Sequence, residues 1–445
     1  MVANTWVVSW TGLLIFRSID HRLRQTVRPT MSSSFEQNEI DEAGSQQALD
    51  KRAFHNVIVL TCAQMFAYAI APLSMAVGGL SGSYLLGDDK SLATLPITFF
   101  ILGPLFGAMP AALFMRRFGR RAGFLLGSAI GILACGLACF SILQNNFWMF
   151  CFSHILIGVS IAFAQQYRFA AADFGSDKAR TRGLSWVMAG GLVAAIVGPQ
   201  TSLYFIDFFP VILFAGSYVG GMLLAGVGFV ALLFLKDETN AHIAKDQTVK
   251  PSRPLSQIAR QPMFITSVVC ASTSYMSMSL VMTAAPLAMI ICGHTPGDST
   301  NVIQLHVIAM FAPSFFTGSL INRFGHTKII SAAIAVFLFC AVAALSGIEV
   351  SNFTVALIAL GIAWNFGYVG GSSLVTKTYE PQERGKVQGL FDSIVFGSAA
   401  TMSLLSGVLL SWIGWHAVVS VVFPLVGICA VVLFAQRQSI AALEA

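Results

Sequence analysis

Residues 112–121 read Ala-Leu-Phe-Met-Arg-Arg-Phe-Gly-Arg-Arg, and residues 318–328 read Gly-Ser-Leu-Ile-Asn-Arg-Phe-Gly-His-Thr-Lys. Each stretch begins at the end of a long apolar run, and the shared tripeptide Arg-Phe-Gly recurs after 206 residues. A second pair, Arg182-Gly183 and Arg384-Gly385, recurs after 202 residues. Both pairs precede or follow corresponding apolar runs, so the chain is predicted to consist of two similar halves.

Twelve apolar runs of roughly 20 to 25 residues occupy most of the chain. A bilayer core about 30 Å thick needs about 20 apolar residues per helix, and a spanning segment must satisfy its backbone polar groups internally. The pattern therefore predicts an all-α membrane protein whose twelve transmembrane helices form two pseudo-symmetric six-helix bundles. The predicted spans are 57–80, 92–114, 122–143, 147–170, 184–205, 211–235, 264–290, 302–321, 329–348, 353–375, 387–411 and 415–435.

The charges are unevenly distributed between the loops. Seventeen lysines and arginines lie in the loops after the even-numbered spans, whereas the loops after the odd-numbered spans contain only Lys90. Basic loops of membrane proteins face the cytoplasm, so we expect a multi-pass protein of the cell inner (plasma) membrane with both termini cytoplasmic. Topology thus accounts for the net charge of +6, and no nucleic-acid partner is expected.

The chain divides into two bundles with connecting and terminal segments. We expect a cytoplasmic, disordered N-terminal tail at 1–54, bundles at 55–235 and 264–435, a cytoplasmic linker at 236–263 and a cytoplasmic tail at 436–445. Met31-Ser-Ser-Ser-Phe-Glu reads as a natural start, so residues 1–30 are interpreted as an upstream extension that the native protein lacks.

The stretch at 112–121 resembles the signature of the major facilitator superfamily, Gly-x-Leu-Ala-Asp-Arg-x-Gly-Arg-Arg, and the resemblance covers roughly residues 55–435. Arg116, and Asn322 in the second copy, stand where the signature has its acid, which in the family latches the cytoplasmic ends of the halves. The resemblance implies the fold of this family and a cytoplasmic gate. The implied gate residues are Arg116, Arg117, Gly119, Arg120, Arg121, Asp173, Asn322, Arg323 and Gly325.

Asp392 is the only carboxylate well inside the predicted spans. A charge buried without a partner is very costly in a membrane. We therefore predict that Asp392 pairs with Arg116 or a neighbouring arginine, in a charge-swapped version of the family latch. The alternative is that Asp392 reaches the membrane interface and pairs with nothing.

Two histidines and one glycine-proline pair also lie within the spans. His154 and His306 could titrate near neutral pH, so together with Asp392 they are the candidates for proton coupling. A neutral histidine hydrogen-bonded between helices is the alternative for each. Gly198-Pro199 resembles the helix-5 motif of proton-coupled efflux members, although the same pair also bends a helix and permits close packing.

The family resemblance places the substrate pathway among spans 1, 4, 5, 7, 8, 10 and 11. Trp364 and Asn365 are the predicted central pair, because aromatic faces stack on flat solutes while an amide fixes orientation. Packing or lipid contact is an equal alternative for Tyr275 and Tyr368. The only arginine near the pathway is Arg168, which favours a neutral or weakly charged substrate. The predicted pathway residues are Gln64, Tyr68, Tyr275, Gln304, Trp364, Asn365 and Tyr368.

The sequence contains no HExxH, GxSxG or GxxxxGK[ST] motif and no paired carboxylates within the spans. We therefore expect no enzyme, cofactor or metal, but a monomeric secondary active transporter of a small organic solute in the lipid bilayer, with protons as the candidate coupling ion. Residues 306–318 are similar to the branch of the family that includes bacterial riboflavin importers, so uptake of a flat aromatic nutrient such as riboflavin is the best interpretation. A proton-coupled drug or metabolite efflux antiporter is the alternative, and a sensor or lipid scramblase without transport is a third.

Overall fold

The computed structural model describes residues 54–172, 177–236 and 253–444. Within these ranges, eleven helices are long and apolar enough to cross a membrane, and one bent pair of helices supplies a twelfth span. Three short helices, Leu255–Ala259, Pro381–Glu383 and Arg437–Glu444, lie between or after them. The spans are α1 (Phe54–Leu85), α2 (Leu95–Phe118), α3 (Arg120–Leu143), α4 (Phe147–Ala171), α5 (Asp177–Tyr204), α6 (Ala215–Leu233), α7 (Pro262–Ile291), α8 (Pro296–Phe311 followed by Ser314–Phe324), α9 (His326–Leu345), α10 (Val350–Val375), α11 (Arg384–Trp412) and α12 (Trp415–Ala435).

The predicted all-α membrane fold is confirmed, with helices that often extend a turn beyond the apolar runs. The predicted N-terminal tail, most of the linker and Asp173 lie outside the described residues. The last residues form the short helix Arg437–Glu444.

Local sequence fixes where several spans begin. The side chain of Asn146 accepts a hydrogen bond from the Met149 N–H at the start of α4. Thr295 and Asp298 form a reciprocal capping box at the start of α8. Such caps satisfy backbone donors that the first turn of a helix leaves free. These short polar residues therefore fix where the two helices begin.

The Arg-Phe-Gly tripeptide forms the same turn in both halves. Gly119 joins α2 to α3 with φ +88°, and Gly325 joins α8 to α9 with φ +84°. Glycine adopts this left-handed conformation without the steric penalty of a side chain. Arg117 lies over the Phe118 ring at 5.2 Å, and Arg323 lies over the Phe324 ring at the same distance. The sequence repeat is therefore a structural repeat, and we call the end that carries these turns the basic end.

Span α8 is bent by 42° between its two helices. The bend follows Pro313, whose ring cannot continue a regular hydrogen-bond ladder. Asn365 of α10 braces it, since its amide nitrogen donates to the Met310 carbonyl at 2.7 Å and to Ser314 at 2.6 Å. The amide oxygen accepts from the Thr317 hydroxyl at 2.6 Å. A side chain on another span thus satisfies polar groups that the bend releases.

The two halves are packed together at the end opposite to the basic end. The main apolar cluster contains residues of both halves, whereas the smaller clusters near the basic end each contain residues of one half only. At the opposite end, Gln200 of α5 donates to Gln304 of α8 at 2.6 Å, and Thr98 of α2 donates to Ser403 of α11 at 3.2 Å. The described conformation is therefore closed at the opposite end, and the cores of the two halves separate toward the basic end.

Candidate functional site

A cavity lies between the two halves and is lined by residues of α1, α2, α4, α7, α8, α10 and α11. Its volume is about 170 Å³. Sites for small organic ligands usually have volumes of about 300–1,000 Å³ and walls that are mostly apolar. The cavity has such walls, and its side chains must move apart before a fused-ring solute can enter.

An aromatic wall covers the second-half side of this cavity. Trp364 and Tyr368 lie one turn apart on α10, and their rings stack at a centroid distance of 5.2 Å. Tyr275 of α7 contacts both rings edge-on, at 5.2 Å and 4.8 Å, and contacts Phe396 of α11 at 5.3 Å. We name Tyr275, Trp364, Tyr368 and Phe396 the aromatic wall. Rings that pack against each other in this way are held rigid, which suits them to bind a flat ligand.

Methionines line other parts of the same cavity. Met75 comes from α1, Met278 and Met282 from α7, and Met310 from α8. Methionine side chains are flexible and polarisable, so they adapt to irregular ligand surfaces. The cavity therefore combines a rigid aromatic face with an adjustable one.

Polar groups of the cavity gather toward the basic end. Gln165 and Arg168, at the end of α4, line the cavity, and Arg168 is exposed. Asp392 lies one turn before Phe396 on α11, so its carboxylate is on the second-half side of the cavity, near the aromatic wall. One cation of the first half and one carboxylate of the second half thus flank the aromatic wall.

Four of the seven predicted pathway residues line the cavity, namely Tyr68, Tyr275, Trp364 and Tyr368. The three predicted amides do not. Gln64 packs against the glycines of α5, with its amide nitrogen 3.5 Å from the position of a Cβ on Gly191. Gln304 accepts from Gln200 in the closed opposite end, and Asn365 is occupied at the α8 bend.

The role of Asn365 in substrate orientation stays a prediction, and in this conformation its amide contacts α8 rather than the cavity. Its side chain is fully buried, and both its amide nitrogen and its amide oxygen are engaged with α8. An amide in a membrane helix needs partners, and here the neighbouring span supplies them.

The two histidines are buried within single halves and do not line the cavity. His154 donates from Nδ1 to the Phe150 carbonyl at 3.0 Å, and its Nε2 lies 3.1 Å from the Tyr218 hydroxyl. Because a carbonyl only accepts, this pattern assigns a neutral ring that receives a hydrogen bond from Tyr218. His306 donates from Nδ1 to the Leu357 carbonyl at 2.7 Å. The geometry favours the structural alternative for both histidines over proton coupling.

The predicted gate residues at the basic end are mostly exposed turn residues. Gly119 and Gly325 occupy the repeated turns, and Arg116, Arg117, Arg120, Asn322 and Arg323 are exposed. Arg121 donates to the Leu233 carbonyl at 2.8 Å, which ties α3 to the end of α6. The structure describes no ion pair within 4.0 Å between Arg116 and Asp392, both of which lie in its described ranges. The predicted pairing is absent here because the halves do not meet at this end.

The glycine-proline pair of α5 serves helix packing. A Cβ on Gly198 would collide with the Ala69 carbonyl oxygen and lie 3.0 Å from the Leu73 nitrogen, both in α1. Only glycine permits this approach, which matches the packing alternative.

Sequence reasoning missed the methionines, Ser279 and Phe396. On α7 the lining residues Tyr275, Met278, Ser279 and Met282 follow the i, i+3, i+4, i+7 spacing of one helical face. Extending the face of Tyr275 along its helix would have identified them.

Two bundles of membrane-spanning helices with a cavity between them are the architecture of a solute carrier. The sequence model of the Major Facilitator Superfamily matches residues 57–274 and 267–442. The chain belongs to the Major Facilitator Superfamily, and it is a membrane transporter rather than an enzyme.

The chain is also similar to individual transporters. The chain is 43% identical over 383 residues to the riboflavin transporter RfnT of Brucella anthropi, covering 86% of this chain and 95% of that protein. Among solved structures, the nucleoside transporter NupG matches with a TM-score of 0.60 at 14% identity, covering 86% of this chain and 99% of that one. The human organic anion transporter MFSD10 matches with a TM-score of 0.55 at 15% identity, covering 87% and 99%. The two structures show the shared fold.

Proposed function

We propose that this protein imports riboflavin, or a closely similar flat aromatic nutrient, across the cell inner membrane. The observation that carries the proposal is the aromatic wall, which offers rigid ring surfaces inside a cavity between the two halves. The 43% identity to a riboflavin transporter over nearly its whole length supports the same substrate class.

Transport would proceed by rocking of the two bundles, 55–235 and 264–435, about the cavity. The excess of arginine and lysine at the basic end supports a cytoplasmic location for that end under the positive-inside rule, with both termini proposed on the same side. The described conformation then faces the cytoplasm, because its halves meet at the opposite end. A monomer contains every residue that lines the cavity.

The coupling ion, if it is a proton, is best assigned to Asp392. Both histidines are sealed within single halves, whereas Asp392 is only partly buried and lies one turn from Phe396 of the aromatic wall. We propose that Asp392 meets Arg168, rather than Arg116, when the cytoplasmic ends of the halves close. Asp392 would then link its protonation state to closure of the gate.

Efflux of varied aromatic compounds is the second candidate function, and one observation favours it. Four methionines line the cavity, and methionine-rich surfaces are typical of binding sites that accept several ligands. A transporter that imports a single vitamin would need fewer of these flexible methionine side chains.

Growth of a riboflavin-auxotrophic bacterium tests the proposal. We expect the chain to restore growth at micromolar riboflavin, and expect Tyr275→Ala to abolish rescue because it removes the centre of the aromatic wall. Tyr204→Ala is the matched control, since Tyr204 is 84% exposed and lies outside the cavity. Drug resistance conferred without any rescue would contradict import and support efflux.

A further inference from the structure

Trp364 has a ring nitrogen without a hydrogen-bond partner. Its side chain is 6% exposed and lines the cavity, yet its Nε1–H meets no acceptor in the described part of the chain. Trp415 is buried to the same extent, and its Nε1–H donates to the Ala344 carbonyl at 3.1 Å. The fold therefore supplies a hydrogen-bond acceptor for the indole N–H of Trp415, but the described residues supply none for that of Trp364.

The Trp364 ring is held in place by its neighbours. It stacks on Tyr368 with an interplanar angle of 19° and is met edge-on by Tyr275 at 5.2 Å and Phe311 at 6.5 Å. An indole N–H can donate but cannot accept. Leaving such a donor unpaired costs a free energy equivalent to roughly 5- to 150-fold in binding. A ligand that supplies the missing acceptor would recover that factor.

One further unpaired polar group belongs to the same cavity. Ser279 lines it from α7, one turn beyond Tyr275, and its hydroxyl has no partner among the described residues. Ser272 and Ser277 on the same helix also lack partners there, but they do not line the cavity. Trp364 and Ser279 are therefore the two cavity side chains whose buried polar atoms are unsatisfied.

We propose that the Trp364 Nε1–H donates to a carbonyl oxygen or ring nitrogen at the edge of the transported solute, with Ser279 as the second polar contact. This inference deepens the proposed function and rests on it, because it assumes that the cavity holds a flat ring. The substrate class is a fused heteroaromatic with acceptors on its edge. The isoalloxazine ring of riboflavin has two carbonyls and ring nitrogens of this kind, whereas a flat hydrocarbon has none.

The Nε1 atom is sealed from solvent in the described conformation. A ligand can reach it only when side chains of the cavity move. The methionines Met278, Met282 and Met310 of the same cavity supply that freedom, because their unbranched side chains change rotamer readily.

The variant Trp364→Phe tests the proposal, because it keeps an aromatic ring and removes the N–H. In proteoliposomes, we expect the KM for radiolabelled riboflavin to rise by roughly tenfold, with the maximal rate within twofold of wild type. Inhibition by lumichrome, which has ring carbonyls, should weaken by a similar factor. Inhibition by naphthalene, which has no acceptor, should change by less than twofold. Trp415→Phe is the control, since it removes an indole N–H that lies outside the cavity and already donates to the Ala344 carbonyl.

An unchanged KM in Trp364→Phe, or equal weakening of lumichrome and naphthalene, would overturn the proposal. If the variant fails to fold, ligand binding by the wild-type protein still tests the proposal. The proposal requires wild type to bind lumichrome at least tenfold more tightly than naphthalene. These binding measurements do not depend on transport. Absence of riboflavin uptake by wild type would therefore contradict the proposed function, whereas absence of the lumichrome preference would contradict the role of Trp364.

Discussion

Substitution of Gly407 by alanine should open the end of the protein that the structure shows closed. Gly407 lies on α11 where it crosses the start of α2. A Cβ at this position would collide with Thr94 Oγ1 and lie 3.0 Å from both the Ser91 carbonyl oxygen and Thr94 Cγ2. Non-bonded heavy atoms prefer separations of about 3.5 Å, so the added methyl group forces the two halves apart.

The magnitude follows from the cost of overpacking. Extra methyl groups in a close-packed interface cost about 1–3 kcal/mol. The strain exists only while the opposite ends meet, because Gly407 belongs to one half and Thr94 to the other. The ratio of opposite-end-open to opposite-end-closed molecules should therefore rise by roughly 5- to 150-fold.

Labelling of a cysteine introduced at Met282 measures this ratio. Met282 lines the cavity and is 1% exposed in the closed arrangement, so a membrane-impermeant maleimide added outside should modify it only in open molecules. Gly397→Ala is the matched control on the same helix, since a Cβ there meets nothing within 4 Å. Adding Thr94→Ala should restore part of the protection. A wild-type labelling rate in folded Gly407→Ala would refute the assignment of this contact as the closed gate.

Three further predictions concern other parts of the molecule. The bidentate Arg253–Glu383 ion pair, with atoms at 2.6 Å and 2.9 Å, lowers the pKa of Glu383 from 4.5 to about 2. The stabilisation by this pair is complete above about pH 4.5 and declines toward pH 2, so the melting temperature of wild type should approach that of Glu383→Gln as the pH falls across this range. A constant difference between the two melting temperatures would contradict the pairing. Asn365→Leu removes the brace of the α8 bend and should destabilise the protein by about 1–3 kcal/mol, measured by thermal unfolding in detergent. A loss of riboflavin affinity at unchanged stability would indicate substrate contact instead. In proteoliposomes, Asp392→Asn should reduce the pH dependence of uptake, whereas His154→Gln should leave it unchanged. The reverse result would indicate that His154, not Asp392, is the proton-coupling residue.

The fold could be predicted because its causes are local in sequence. Most spans can be recognised in the sequence by their length and hydropathy. The Arg-Phe-Gly turns indicate the repeat, because Gly119 and Gly325 both adopt a positive φ that glycine allows. The 42° bend of α8 could not be located in this way. Pro313 interrupts the helix locally, but the hydrogen bonds that brace the bend come from Asn365, about 50 residues later in the chain.

The site was only partly predictable. Aromatic residues such as Tyr275 and Trp364 stand out in apolar helices, and these two meet in the cavity. Amides stand out equally, yet Gln304 and Asn365 satisfy their hydrogen bonds with neighbouring spans. Sequence shows that a buried amide needs a partner, but it does not show whether a helix or a ligand supplies it. Methionines of the cavity, such as Met278, have the same chemistry as methionines that face lipid.

The two halves have the same turns at the basic end, but they contribute different side chains to the cavity. The turns at Arg117 and Arg323 have the same cation–ring geometry at 5.2 Å. The aromatic wall belongs to the second half alone, while Arg168 is contributed by the first. A flat solute would therefore bind chiefly to one bundle and meet the charged group of the other as the halves approach. Under the proposed pairing, closure at the basic end depends on Asp392 and Arg168, whereas the opposite end is closed by uncharged contacts. A pH step should accordingly shift accessibility at the basic end more than at the opposite end.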